Sequence, residues 1–191
     1  MKIIVLFGKP GAGKGTQAAL LKENFELVHI STGDVFRYHI ANNTELGTLA
    51  KSYMDKGELV PDTVTIDMLA SEVDRSIDSA KGYIFDGFPR TTAQAEALDE
   101  LLTDKGLSVN ATIALEADED ELTARLLERG KSSGRSDDTD EEKIRTRFAE
   151  YNAKTAPLIA YYKDQDKFYS VNGIGEIASI NERLSSITSR L

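Results

Sequence analysis

Cysteine and tryptophan are absent from the 191-residue sequence, and proline occurs only 4 times. A chain without cysteine forms no disulfide bonds and no thiolate metal sites, a composition that fits a reducing compartment. No apolar run reaches the roughly 18 residues that a membrane-spanning helix needs. Met1 leads directly into a strand-like segment rather than a signal peptide. These absences predict a cytoplasmic protein with no membrane partner.

Positive charge is also scarce, since 23 Lys and Arg residues face 32 Asp and Glu residues and give a formal net charge of −9. Such a field repels polyanions, which disfavours DNA or RNA as a partner. A local cluster of arginines in so acidic a chain would indicate a site for a small anion. The length fits one globular domain with a core of its own.

Short, nearly continuous apolar segments alternate with longer stretches of helical spacing. This alternation predicts an α/β fold of three layers, with a central parallel five-stranded sheet covered by helices on both faces. The predicted strands are 3–7, 27–30, 83–85, 111–115 and 168–171. The predicted helices are 17–25, 64–77, 93–102, 122–127 and 177–191.

Two segments interrupt the alternation. Residues 32–77 have helical sequence without an intervening strand, and residues 131–138, KSSGRSDD, are predicted to form a small polar loop. Neither has enough apolar residues for a core of its own, so we interpret both as excursions from the sheet. Further on, Pro157 is expected to separate two helices, with Thr155 as a candidate cap of the second.

Residues 8–16, GKPGAGKGT, lie between the first predicted strand and a predicted helix. Glycines let backbone N–H groups surround a phosphate, because they adopt backbone angles that a Cβ forbids, and the helix adds the positive end of its dipole. Lys14 supplies a mobile charge for the β and γ phosphates. A glycine-rich turn without a ligand is the alternative, but the strand, spacing, lysine and helix together favour a P-loop.

The loop departs from the general pattern GxxxxGK[ST], because Gly15 stands where a hydroxyl would bind magnesium and Thr16 follows it. The string GxPGxGKGT resembles the loop of nucleoside monophosphate kinases, and of adenylate kinases above all. Other strings resemble that family in the same order over nearly the whole chain. They are STGDVFR (31–37), GELV (57–60), DGFPRTTAQ (86–94), RGKSSGRSDD (129–138) and NGIG (172–175).

The resemblance implies reversible transfer of the γ-phosphoryl group of ATP to AMP, giving two ADP, with Mg²⁺ accompanying ATP and no zinc. It divides the chain into a core (1–30, 61–128 and 139–191), a region that binds the nucleoside monophosphate, NMP (31–60), and a short lid (129–138). The expected partners are the small molecules ATP, AMP and ADP, and the expected state is a monomer.

The resemblance also implies site residues. Those expected to bind ATP are Gly11, Ala12, Gly13, Lys14, Gly15, Thr16, Arg125, Arg129 and Gly175. Those expected to bind AMP are Thr32, Arg37, Glu58, Leu59, Val60, Gly87, Phe88, Pro89, Arg90, Gln94, Arg135 and Arg147. Those expected to be catalytic are Lys14, Asp86, Arg90, Arg129, Arg135 and Arg147.

These residue types suit phosphoryl transfer, which needs positioning and cations around the oxygens of the transferred group. The AMP phosphate is already anionic near neutral pH, so neither His29 nor His39 is assigned as a general base, and structural roles are expected for both. Guanidinium groups grip phosphate in a bidentate manner that lysine cannot reproduce. Arg90 follows a predicted strand at the sheet edge, where α/β proteins place ligands.

The alternative for each of the other arginines is an ordinary charged side chain at the protein surface, with no ligand bound to it. It is strongest for Arg125, because Glu121 lies one helical turn away and can form an ion pair with it. Arg129 is therefore the favoured contact for the ATP phosphates. Asp86, which ends a strand, is expected to reach the magnesium ion through water, with Asp34 assisting.

The choice of nucleotide depends on the base pocket. A Gln side chain can accept from the adenine amino group and donate to N1 at once, so Gln94 favours AMP, and Thr32 matches adenylate kinases. The lid string resembles that of UMP/CMP kinases at least as well, which keeps a UMP/CMP kinase as the alternative. A non-catalytic P-loop module is a further alternative, although it would leave the downstream arginines without a task.

Overall fold

The computed structural model describes residues 1–191, and its elements follow the predicted alternation. The strands are β1 (Lys2–Phe7), β2 (Val28–Ser31), β3 (Gly82–Asp86), β4 (Ala111–Glu116) and β5 (Phe168–Asn172). The helices are α1 (Lys14–Phe25), α2 (Thr32–Ala41), α3 (Glu45–Met54), α4 (Asp62–Ser76), α5 (Thr92–Asp104), α6 (Glu119–Ser133), α7 (Glu141–Glu150), α8 (Leu158–Lys163) and α9 (Ile177–Thr188). A 3-10 turn (Ser136–Asp138) precedes α7, and a π-helical turn (Tyr151–Thr155) follows it.

All five strands are parallel and lie in the order β2-β3-β1-β4-β5. The apolar run of β1 is buried on both faces, and its alternate residues belong to opposite cores. One core packs α4, α5 and α8 on the sheet, and the other packs α1, α6, α7 and α9. The predicted three-layer α/β fold with a parallel five-stranded sheet is confirmed.

The register of the central strands places the candidate site. Asp86 at the end of β3 pairs with Leu6 of β1 on one side and with Ser31 of β2 on the other. The glycine loop after β1, the start of α2 and the segment after β3 therefore meet at the carboxyl edge of the sheet. This is the edge at which open α/β sheets bind ligands.

Helices α2, α3 and α4 follow one another without a strand, as the sequence predicts. Contrary to expectation, this region has a small core of its own, because Phe36, Ala50, Val60 and Met68 form a cluster of 4 buried residues. No helix of the structure combines the length and the apolar character needed to cross a membrane.

Two local predictions are wrong. Helix α6 continues through Arg129 to Ser133 and ends at Gly134 in the left-handed conformation, so the first three residues of the polar loop predicted for 131–138 are helical. Thr155 does not cap α8, since Pro157 occupies that position and the Thr155 hydroxyl donates to the carbonyl of Arg90 at 3.0 Å. Both segments are held by distant contacts that the local pattern does not contain.

Candidate active site

The glycine loop folds back on the Lys14 side chain. Gly13 caps α1 at φ 88°, a left-handed conformation that favours glycine even though an added Cβ would meet nothing within 4 Å. The Lys14 ammonium donates to the carbonyl oxygens of Gly8 at 2.7 Å and of Lys9 at 3.2 Å. The pKa of Lys14 is lowered from 10.5 to about 8, because desolvation and the nearby arginines together outweigh the opposing charge of Asp86. The loop thus surrounds a partly buried ammonium group.

Asp86 is a buried carboxylate at the end of β3. Burial opposes its ionisation, but the His29 ring and the charges of Lys14 and Arg90 outweigh burial and lower its pKa. Nε2 of His29 lies 3.7 Å from Oδ2 of Asp86, too far for a hydrogen bond. An added Cβ on Gly15 would lie 3.7 Å from the same carboxylate oxygen, so the loop and the carboxylate face each other.

The donor set around Asp86 is small. Gly15 offers no hydroxyl oxygen, and the structure contains no group of three or more His, Cys, Asp or Glu side chains placed to hold a metal ion. Asp34, expected to assist, instead pairs with Arg37 and lies 3.6 Å from Arg135. A single ionised carboxylate fits an ion that is held mainly by phosphate oxygens and water, which is how magnesium is usually bound beside phosphates.

A central cleft of about 780 Å³ lies between the glycine loop and α7. Six separate parts of the chain line it: the end of β1 with the loop and Lys14, α2, the segment 54–59, the segment after β3, the 3-10 turn, and α7 with the π-helical turn. The cationic side chains that reach this cleft are Lys14, Arg37, Arg90 and Arg147.

The Arg90 guanidinium lies in this cleft, and its Nε donates to the carbonyl of Gly87 at 2.7 Å. The pKa of Arg90 is lowered to about 10, chiefly by desolvation and also by the charges of Arg147 and Arg37. The charges of Asp86 and Asp137 act to raise the pKa of Arg90, but they do not cancel the lowering. A partly buried guanidinium whose pKa is lowered by cationic neighbours marks a place where an anion would be stabilised.

Asp138 joins the lid segment to α7. Its side chain has no exposed surface, and it accepts from Nε of Arg129 at 2.7 Å and from Nη2 at 3.0 Å. It also accepts from Nη1 of Arg147 at 2.7 Å. Burial opposes ionisation of Asp138, but these arginines outweigh it and lower its pKa. Arg147 is only 18% exposed, so it is not the surface charge that its helical position alone would indicate.

The backbone of Asp138 also fixes the end of α6. An added Cβ on Gly130 would lie 2.6 Å from the carbonyl oxygen of Asp138, so only glycine allows this close approach. The contact and the Arg129 ion pair lie on the same stretch of α6, and together they anchor the 3-10 turn to this helix.

Arg135 connects the lid segment to α2. Burial lowers its pKa, and the neighbouring charges of Arg37 and Arg129 lower it as well. The charges of Arg90, Arg147 and Arg129 also act on Lys14. Four of the six predicted cations, Lys14, Arg37, Arg90 and Arg147, line the central cleft. The other two share a carboxylate with one of these four, because Arg135 lies near Asp34 beside Arg37, and Arg129 pairs with Asp138 beside Arg147.

A second cleft of about 370 Å³, here called the inner cleft, opens beside the central one. Gln94 lines it and is only 2% exposed, so it is not the solvent-facing glutamine of the alternative interpretation. Thr32 also lines it, and its hydroxyl donates to the carbonyl of Gly87 at 2.9 Å, while Ser31 caps α2. The other predicted AMP-binding residues on its wall are Glu58, Leu59, Val60, Gly87 and Arg90.

Phe88 and Arg135 are the predicted AMP-binding residues that line neither the central nor the inner cleft. Phe88 is excluded by its burial. It is 1% exposed and packs in the core beneath the sheet, while its neighbours Gly87 and Pro89 line the central cleft. The Phe88 side chain therefore packs between the core and the segment 87–89 that lines the cleft.

A third cleft of about 840 Å³, here called the loop cleft, lies on the outer side of the glycine loop. Arg125 lines it, but Nε pairs with Glu121 at 2.8 Å, as the alternative interpretation expected, and Nη1 donates to the carbonyl of Gly173 at 3.3 Å. The other predicted ATP-binding residues along this cleft are Gly11, Ala12, Gly13, Thr16, Arg129 and Gly175.

Sequence reasoning missed three features of the site. Asp138 holds two of the arginines, Asp62 bonds the Gln94 amide at 2.7 Å, and the π-helical turn contributes Tyr151 and Thr155 to the central cleft. Asp62 lies in helical sequence and Asp138 in a predicted loop, and neither position indicates a partner, so only the folded chain reveals their contacts.

The comparisons with known proteins agree with this geometry. A family model described as adenylate kinase matches residues 6–167. The adenylate kinases of Flavobacterium psychrophilum and Flavobacterium johnsoniae are 65% and 64% identical to the chain over 188 residues, or 98% of both proteins in each pair. That of Bacteroides thetaiotaomicron is 52% identical over 177 residues, or 93% of both. The chain therefore belongs to the adenylate kinase family.

Proposed function

We propose that this protein transfers the γ-phosphoryl group of ATP reversibly to AMP, giving two ADP. The observation that carries the proposal is the gathering of six cations in and around the central cleft of a chain whose formal net charge is −9. A concentration of half-buried positive charge in an acidic protein is matched by a polyphosphate in that cleft. The relatives, which are named adenylate kinases, support the same reaction.

The cations would act by position and charge. In this proposal Arg37 and Arg90 grip the acceptor phosphate, while Lys14 and Arg129 hold the ATP phosphates. Arg135 and Arg147 contact the group in transfer, whose negative charge spreads over its oxygens in the transition state. Because the acceptor phosphate is already anionic, no side chain has to remove a proton. The chain lowers the barrier by pre-arranged electrostatic stabilisation.

Magnesium is the proposed companion of ATP. It would supply additional positive charge between phosphate oxygens, and Asp86 is the residue that would hold it, through water. The ionised state of Asp86 and the missing hydroxyl at Gly15 support that assignment.

We also propose that the inner cleft and the loop cleft bind different nucleotides. The inner cleft would take the adenine of AMP, read by Gln94 and bounded by Thr32, and the loop cleft would take the nucleoside of ATP beside Arg125 and Gly175. Residues 31–60 and 129–138 would close over the nucleotides and exclude water, which prevents hydrolysis of ATP. A cytoplasmic location and a monomeric state stay predictions.

A coupled assay of ADP formation from MgATP tests the proposal, with AMP, CMP, UMP and GMP offered in turn. The proposal expects AMP to be the preferred acceptor. A preference for CMP or UMP would support the pyrimidine kinase suggested by the lid string. Absence of turnover with all four would indicate a non-catalytic nucleotide-binding protein.

Replacement of Arg90 by Ala tests the role of the cations directly. We expect the rate with AMP to fall by several orders of magnitude, as removal of a charge that stabilises a transferring phosphate does elsewhere. Arg75→Ala is the matched control, because Arg75 is exposed on α4 and pairs only with Glu72. Near-normal activity of Arg90→Ala would contradict the proposed role.

A further inference from the structure

Asp62, the first residue of α4, lies behind the inner cleft and bonds the side chain that lines it. Its Oδ1 accepts from Nε2 of Gln94 at 2.7 Å, and its Oδ2 accepts from the hydroxyl of Thr91 at 2.9 Å. The Thr91 hydroxyl in turn accepts from the backbone N–H of Gln94 at 3.2 Å. Asp62 is thus fixed to the first turn of α5 by two bonds.

The Gln94 amide is held at both of its ends. Its oxygen accepts from the backbone N–H of Arg90 at 2.8 Å, while its nitrogen donates to Asp62. A backbone N–H can only donate and a carboxylate can only accept, so both partners specify the same orientation of the amide. Rotating the amide by half a turn would bring two donors together at Arg90 and two acceptors together at Asp62.

In this fixed orientation the Gln94 amide keeps one free hydrogen-bonding position on its oxygen and one on its nitrogen. The oxygen retains a lone pair, and the nitrogen retains a second hydrogen. Adenine offers a donor at its 6-amino group and an acceptor at N1, which match these two positions. Hypoxanthine offers an acceptor at O6 and a donor at N1, which match only the rotated amide.

We propose that Asp62 is a specificity-determining positioning residue, which locks the Gln94 amide in the orientation that accepts a 6-aminopurine and rejects a 6-oxopurine. The inference rests on the proposed function, since it assumes that the inner cleft holds the base of the acceptor nucleotide. Asp62 acts through Gln94 and does not itself touch the base.

The test compares kcat/KM for AMP and for IMP, the monophosphate of hypoxanthine, in four proteins: wild type, Asp62→Ala, Asp62→Asn and Asp67→Ala. Asp67 is the matched control, because it is an exposed aspartate on the same helix. In Asp62→Ala only the N–H of Arg90 still holds the amide, and we expect the AMP-over-IMP ratio to fall about tenfold or more, the effect of losing one hydrogen bond to a charged group.

The other variants separate orientation from stability. Asp62→Asn keeps an oxygen that accepts from Gln94, so it should retain most of the ratio, and Asp67→Ala should retain all of it. If Asp62→Ala does not fold, Thr91→Val takes its place, because it removes one of the two bonds that fix Asp62, and the ratio should fall by a smaller factor. A merely structural role would lower both kcat/KM values together and leave the ratio unchanged.

The outcomes distinguish this inference from the function on which it rests. An unchanged ratio in Asp62→Ala, or in Thr91→Val where that variant is used, would overturn the role of Asp62 while wild-type turnover of AMP still supports the kinase. A wild-type protein that forms no ADP from AMP would overturn both.

Discussion

Asp138→Asn removes a negative charge from the point where the lid segment meets α7. The wild-type carboxylate accepts three hydrogen bonds from Arg129 and Arg147. The amide of Asn can accept at one atom only, and its NH₂ group would face a guanidinium donor. Each hydrogen bond to a charged group contributes about 1.5–3 kcal/mol before the cost of burying the carboxylate is subtracted.

The net loss of stability in Asp138→Asn is smaller than the summed contributions of the three hydrogen bonds. Arg129 is 37% exposed, so water replaces part of its interaction, and the carboxylate regains hydration when the protein unfolds. We expect Asp138→Asn to lower the free energy of unfolding by about 2 kcal/mol, which corresponds to a fall in Tm of about 4–8 °C for a chain of this size. Thermal unfolding followed by circular dichroism measures the difference.

The stability difference between wild type and Asp138→Asn should decrease at low pH. Asp138 has a lowered pKa in the folded protein, so its stabilising contribution is fully present above the unfolded value of about 4 and is lost as the pH falls through the folded value. The gap in Tm between wild type and Asp138→Asn should therefore narrow below about pH 4. Asp104→Asn, an exposed residue at the end of α5, is the control. A Tm change no larger than that of the control at neutral pH would refute the reasoning.

Three further predictions concern other contacts of the site. With a Lys14 pKa of about 8, kcat/KM for MgATP should fall as the pH rises through 8 while kcat stays flat, because bound phosphate keeps the ammonium charged; a flat kcat/KM profile would contradict this. Gly130→Ala should cost about 1–3 kcal/mol in urea unfolding, since its Cβ would overlap the carbonyl of Asp138, whereas exposed Ser132→Ala should change little. Gln94→Asn should reduce the preference for AMP over CMP, and an unchanged preference would mean that other atoms read the base.

The sheet can be predicted from the sequence because its signal is local. Continuous apolar segments such as that before Gly8 indicate buried parallel strands, and each of the five predicted strands overlaps an observed one. The order β2-β3-β1-β4-β5 cannot be predicted in this way, since an apolar pattern shows that a strand is buried but not which strands are its neighbours.

The end of α6 shows how distant contacts override local preference. Gly130, Ser132 and Ser133 are weak helix formers, so the sequence predicts a loop there. The structure keeps this stretch helical, because Arg129 pairs with Asp138 nine residues away and the glycine packs against the same residue. A propensity cannot anticipate a contact that the fold creates.

The candidate site, like the fold, could be predicted from the sequence only in part. The spacing of the glycine loop and the resemblance of later strings to one family predict that Lys14, Arg90 and Arg147 serve one site, and all three line the central cleft. Asp62 lies outside these strings, and Asp138 ends one of them but is not distinguished there from its neighbours, so the roles of both in orienting side chains of the site could not be predicted. Asp62 bonds a residue 32 positions away, and nothing in its own neighbourhood distinguishes it from other helix-starting aspartates.

A crystal structure with two adenosines joined by a polyphosphate chain tests the central claim most directly. The account predicts that Lys14, Arg37, Arg90, Arg129, Arg135 and Arg147 all place a nitrogen within hydrogen-bond distance of phosphate oxygens, with one adenine against Gln94. A complex in which these side chains point into solvent, or in which the polyphosphate lies outside the central cleft, would contradict it.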